Sequence, residues 1–184
     1  MSILSVPEIS RKKKYSWIIL LAGIAFIFIV RFYVDGAAVR ALRWLLGPVA
    51  ALTELQTGEH FVFDETRGYV NSSGNIILSL SCAGYNFISI AWLTGFSFLW
   101  MRLSSDAQRV LAFFLAGIAA FALGVLVNSF RINISMNMVA LSNELLHKNR
   151  THEAVGSFIY LSFLVMYFFL LNHLFKPAPY EKPA

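Results

Sequence analysis

Four stretches of the chain are apolar and almost free of charge. Trp17 to Val30 carries no charge and continues through Phe32, Tyr33 and Val34 beyond a single Arg31; Tyr85 to Met101, Val110 to Val127 and Ala154 to Phe175 carry none. At about 1.5 Å of rise per residue, helices of these lengths cross all or most of a hydrocarbon layer about 30 Å thick. The pattern predicts spanning helices at about 15–34, 85–101, 110–127 and 154–175. The segment Arg102 to Arg109 is too short to hold a domain, so the second and third spans form an antiparallel hairpin. The first run follows Arg11-Lys12-Lys13-Lys14 and shares the outline of a secretory signal peptide, with Gly36-Ala37-Ala38 as the small-residue cleavage site. Its apolar length favours a retained helix over a cleaved leader.

Two segments depart from this pattern. Ala37 to Leu55 is apolar overall but carries Arg40, Arg43 and Glu54, with Gly47-Pro48 in its middle. Central charges are costly in a span, so a bent amphipathic helix lying on the interface, or dipping into it, is expected there. Between residues 59 and 81, His60-Phe61-Val62-Phe63, Gly68-Tyr69-Val70 and Asn75 to Leu80 are separated by Gly and Asn/Ser clusters. They predict a small β-hairpin, or three short strands, outside the bilayer. The fold class is therefore an all-α membrane protein, a single domain over 1–184, with about four transmembrane helices, one interfacial helix and a small extracytoplasmic β-hairpin.

Composition agrees, with 58% hydrophobic and only 14% charged residues, too apolar for a soluble domain of this size. The net charge of +5 raises nucleic acid as a partner, but the basic residues are scattered or border apolar runs, with no basic helix or aromatic recognition motif. Charge also orients the chain. With the N-terminus cytoplasmic, the inside segments carry eight of the Lys and Arg residues, including the tight cluster at 11–14, and the outside carries seven, six in 35–84 and 128–153 and Arg31 at the outer end of the first span. The cluster beside the first span sets the orientation and leaves both termini cytoplasmic.

On that topology Cys82 lies just before the second span, Arg131 just after the third and His152 just before the fourth, so all three share the outer face. Cys82 is the only cysteine, which excludes an intramolecular disulfide and a multi-cysteine metal site. A thiol with a pKa near 8.5 becomes a nucleophile only when a neighbour favours its thiolate. His152 is suited to take the proton and return it to a leaving amine, and Arg131, permanently cationic, to stabilise a thiolate or an oxyanion. Asn128 precedes Arg131 by three residues and shares its helical face, where its amide can orient the guanidinium or a substrate. Each residue also has a plainer role: an inert small apolar cysteine, an arginine snorkelling at a helix end, an interfacial histidine like His60, His147 or His173. No two histidines stand four apart on a helix, so zinc has little support.

Ser81-Cys82-Ala83-Gly84, Asn128-Ser129-Phe130-Arg131-Ile132 and His152-Glu153-Ala154-Val155-Gly156 resemble, in that order, the three motifs of the exosortase/archaeosortase family, which has an invariant Cys, Arg and His. Leu45-Leu46-Gly47-Pro48-Val49 and Ile76 to Leu80 resemble the family's lead-in, so the likeness covers roughly residues 37 to 160. Many members have about eight spans and read Cys-Ser-Gly at the first motif; this chain, with about four spans and Cys-Ala-Gly, is most similar to the short exosortase K type. The resemblance implies a cysteine protease-transpeptidase of the bacterial cytoplasmic membrane, with Cys82 as nucleophile, Arg131 as charge stabiliser and His152 as acid/base. It implies substrate proteins ending in a short motif, a transmembrane helix and a basic tail, cut just outside the bilayer. That chemistry requires no cofactor, and the acceptor of the cleaved product is unspecified. The competing class is a non-enzymatic membrane scaffold or transporter subunit. The last three runs hold no charge for an ion path, and the chain has no repeated halves.

Overall fold

A computed structural model describes residues 9–72, 74, 76–79, 83–141 and 148–175, with the side chains of 9–16, 138–141 and 148–153 outside that description. The order is α1 (Ile9–Gly36), a 3-10 turn (Val39–Leu42), α2 (Arg43–Thr57), strands β1 (Phe61–Asp64), β2 (Gly68–Asn71) and β3 (Ile77–Leu78), then α3 (Tyr85–Trp100), α4 (Asp106–Leu141) and α5 (Lys148–Leu174).

Three helices are long and apolar enough to cross a membrane, over Trp17–Gly36, Asp106–Asn137 and Ala154–Leu174. The expected second span, α3, has 16 residues, about 24 Å of helix against the ~30 Å of a hydrocarbon core. It forms the centre of the bundle. Phe87, Ile88, Ala91, Phe96 and Phe98 are all buried, and α3 packs on α1, α4 and α5. A helix apolar all round has this place available to it in a fold of this size. The outer faces of α1, α4 and α5 remain bare: Phe32 is 84% exposed, Ile118 66% and Phe158 71%. Apolar faces of that extent call for lipid or a partner rather than water.

The third expected span, 110–127, is the middle of a much longer helix. α4 continues through Asn128 and Arg131 to Leu141, 36 residues in all, about 54 Å. The polar residues that mark the run's end in sequence do not break a helix, because they contain no Pro or Gly and their neighbours Ser129 and Ile132 are packed. The α3–α4 hairpin is formed as expected, with five residues between the two helices. Its arginines lie on aromatic faces, Arg102 3.8 Å from the centroid of Phe98 and Arg109 4.6 Å from that of Trp100.

Ala37 to Leu55 becomes the 3-10 turn and α2, with Pro48 inside the helix. Leu45, Leu46, Val49, Ala50 and Thr53 form its buried stripe. Gly58 ends α2 in the left-handed region at φ 73°, donating its N–H to the Glu54 carbonyl. The three strands form an antiparallel sheet in the order β1-β2-β3, with Phe61 opposite Asn71 and Tyr69 opposite Leu78. Asp64 closes the β1–β2 turn by accepting from the Thr66 N–H (2.8 Å), the Thr66 hydroxyl (2.6 Å) and the Arg67 N–H (2.9 Å). These three bonds hold the Asp64 carboxyl below its ordinary pKa, the Thr66 hydroxyl contributing most. Phe61 and Leu78 pack with Val49, Ala50 and Ile132, seating the sheet on α2 and on the end of α4 that carries Arg131.

Candidate functional site

The sheet returns the chain to the start of α3 through Ala83 and Gly84, both buried. Gly84 is left-handed at φ 63° and stands against α4: a Cβ there would lie 1.7 Å from the Asn128 Nδ2. The fit leaves room for a glycine alone. Asn128 is fully buried and donates from Nδ2 to the Ala83 carbonyl at 3.0 Å. Its Oδ1 accepts a short hydrogen bond from the Tyr160 hydroxyl of α5. One amide thus ties the turn before α3 to both α4 and α5, and a buried amide needs such partners to offset its lost hydration.

Arg131 follows one turn along the same face of α4. Its stem lies on Gly156 of α5, where a Cβ would come 3.2 Å from the arginine Cδ. Its guanidinium sits over the Tyr160 ring, 5.2 Å from the centroid. The Tyr160 ring stacks in turn on Phe87 of α3, with centroids 5.1 Å apart and planes 27° apart. Tyr160 is held on three sides: by a hydrogen bond to Asn128, a cation and an aromatic face. Neighbouring Ser129, also buried, accepts a hydrogen bond from the Gln56 Nε2 at 3.1 Å, which fixes α2 to the same stretch of α4.

Among the residues singled out in the sequence, Asn128 and Arg131 meet Ala83, Gly84 and Gly156, so described members of all three motifs are in contact. Cys82, immediately before Ala83 in sequence, lies outside the described residues, as does His147. His152 is on α5, one turn before Gly156, with its side chain outside the description. Among the described residues no group of three His, Cys, Asp or Glu side chains is placed to hold a metal ion. Tyr160 and Gln56 were not singled out in the sequence. Tyr160 carried a signal, since it lies four residues after Gly156 and eight after His152, on one helical face. Gln56 carried none, because its partner is 73 residues away.

The arrangement offers a permanent cation and the N-terminal end of α3, the positive end of its dipole, on one side of the bundle. Both favour negative charge close to Ala83. No protein-family model, no curated protein and no solved structure matches the chain.

Proposed function

We propose that the chain is a membrane-embedded cysteine protease-transpeptidase that cleaves C-terminal sorting signals at the outer face of the bacterial cytoplasmic membrane. The observation that carries the reading is the contact of the motif residues: Asn128 with Ala83 and Gly84, and Arg131 with Gly156. Residues 45, 44 and 25 positions apart in sequence have no local reason to meet, and they are the ones the exosortase resemblance groups together.

In this mechanism the Cys82 thiol gives its proton to His152, and the thiolate attacks the carbonyl carbon of the scissile peptide. Thiolates are favoured at helix N-termini and beside arginine, and Cys82 precedes α3 by three residues. The carbonyl oxygen takes up the electron pair, and Arg131 stabilises that charge. Collapse breaks the C–N bond, His152 returns the proton to the leaving amine, and a thioester remains on Cys82. Attack by water or an acceptor amine then releases the mature protein and restores the thiol. The substrate's own transmembrane helix fixes the depth of the cut bond, which supplies part of the rate as proximity. α3 serves as a fourth, short span in this arrangement, with the sheet and α2 on the outer side as a docking surface for the recognition motif.

The test is mass spectrometry of protein C-termini from cells carrying the wild-type chain or Cys82→Ala. The reading expects a small set of proteins to keep a hydrophobic C-terminal tail only in the variant, and the same set with Arg131→Ala and His152→Ala. Matching profiles, with a tail-bearing protein expressed in both, would overturn it. A non-enzymatic scaffold is the second reading, favoured by the bare apolar faces of α1 and α5. In that case Cys82 would ignore an electrophilic peptide probe.

A further inference from the structure

A groove of about 330 Å³ opens on the flank of the bundle between α1, α3 and α4, beneath the first turn of α2. Val30, Trp44, Tyr85, Trp92, Ile118 and Phe121 line it. The Trp44 indole stacks on Phe121, with centroids 6.0 Å apart, yet remains half exposed. Two of the polar groups that border the groove are engaged: Trp92 donates to the Phe113 carbonyl at 2.8 Å and the Tyr85 hydroxyl to the Ile27 carbonyl at 3.4 Å. Water in such a slot would find few partners, whereas a hydrocarbon would lose nothing.

Size narrows the occupant. Tyr85 to Trp92 on α3 and Phe114 to Phe121 on α4 each cover about 10 Å along the groove. A helix with its side chains is about 10–12 Å across, bulkier than the slot can seat. A single extended acyl chain is thin enough to enter.

Charge then sets its direction. At one end Val30 is followed by Arg31 and Trp44 is preceded by Arg43, with Arg40 one turn earlier. Arg31 and Asp35 both lie near Tyr85. The carboxylates at this depth are held loosely, Asp35 at 3.6 Å from Arg31 and Glu65 at 3.7 Å from Arg40, all well exposed. Arg43 rests over the Phe63 ring at 5.0 Å. Three cations thus face two carboxylates at the α2 end, and the opposite end closes on Trp92 and Phe114 with no charged lining. An indole beside cations above an apolar slot is the pattern of a membrane headgroup level.

We propose that this groove binds one acyl chain of an anionic phospholipid, with its phosphate held among Arg31, Arg40 and Arg43. The inference stands on the groove and its rim, independently of the proteolytic reading.

The test is native mass spectrometry of the full chain released from bilayers containing phosphatidylglycerol and phosphatidylethanolamine in equal parts. The wild type is expected to retain one phosphatidylglycerol. Ile118→Trp fills the exposed mouth of the groove, and it is expected to lose that lipid with an unchanged melting temperature. The pair Arg40→Gln/Arg43→Gln, both on the surface, is expected to lower the preference for phosphatidylglycerol by about tenfold or more, and it remains informative if Ile118→Trp does not fold. Equal retention of both lipids by the wild type, or an undiminished preference in the double variant, would overturn the proposal. Retention of phosphatidylglycerol by a folded Ile118→Trp would do the same.

Discussion

The two ends of the α3–α4 pair are held by different physics. Toward Arg109, Phe96, Trp92 and Phe113 interlock by their rings, Phe96 and Phe113 edge to face at 5.1 Å and Trp92 and Phe113 at 4.9 Å. Toward Arg131 the same helices meet through one buried amide, one phenol and a glycine with no room for a methyl group. Aromatic packing sets the distance between helix axes but tolerates small slides, because dispersion and quadrupole contacts vary gradually with position. Hydrogen bonds from a buried amide fix which carbonyl sits where, since a displaced partner leaves an unsatisfied group in an apolar interior. The directional end is also the end where the sequence motifs gather.

The largest effect expected from this contrast is at Gly84. Gly84→Ala places a methyl group 1.7 Å from the Asn128 Nδ2 in a left-handed backbone position, a combination that costs about 3 kcal/mol or more. Thermal unfolding in detergent is expected to show a large loss, and retention of wild-type stability would mean that the Ala83–Gly84 turn is not seated on Asn128.

Next come substitutions of the two centres themselves. Asn128→Ala removes both hydrogen bonds and leaves the Ala83 carbonyl buried without its donor, at a cost of about 2–4 kcal/mol, while Tyr160→Phe keeps the ring and costs about 1 kcal/mol. Phe96→Leu at the aromatic end is expected to cost about 1–2 kcal/mol and to leave the proposed C-terminal processing intact, whereas on that proposal Asn128→Ala abolishes it. Equal effects of Phe96→Leu and Asn128→Ala on processing would overturn the proposal that the two ends differ in function.

The smallest effect carries the same logic to the sheet. Asp64 has a lowered pKa because its ionised form accepts three hydrogen bonds, so the turn's stabilisation is present above the ordinary carboxylate range and is lost as pH falls through the lowered value. The Thr66 and Arg67 amide resonances are expected to titrate with a midpoint below the ordinary aspartate range. A midpoint at or above it would mean that the turn is held by its backbone alone.

Much of this was legible in the linear pattern. Apolar runs located α1, the middle of α4 and α5; Gly and Asn/Ser clusters separated the three strands; Gly47-Pro48 and the charges around it marked α2 as distinct from a span. What the pattern misjudged was extent. The run at 85–101 forms a helix over nearly its whole length, Tyr85–Trp100, but at 16 residues it is shorter than the three helices long enough to span. The end of the run at Val127 reads as a membrane boundary, but hydrophobicity does not control where a helix stops, and α4 continues for another 14 residues. For the site, Asn128 and Arg131 were legible by their spacing, and Tyr160 only by hindsight.

The sequence by itself determined what each segment would do alone, because apolar runs, charges and turn residues act over a few positions through burial, solvation and backbone preference. It settled the helical class and the small sheet. Tertiary structure alone decided that α3 is the central helix, that one amide joins three elements, that Gln56 reaches Ser129, and that Trp44 roofs a groove with arginines at one end. Those facts depend on which surfaces meet across dozens of residues. That choice is made by volume and hydrogen-bond matching in a packed interior, not by any local preference of the chain.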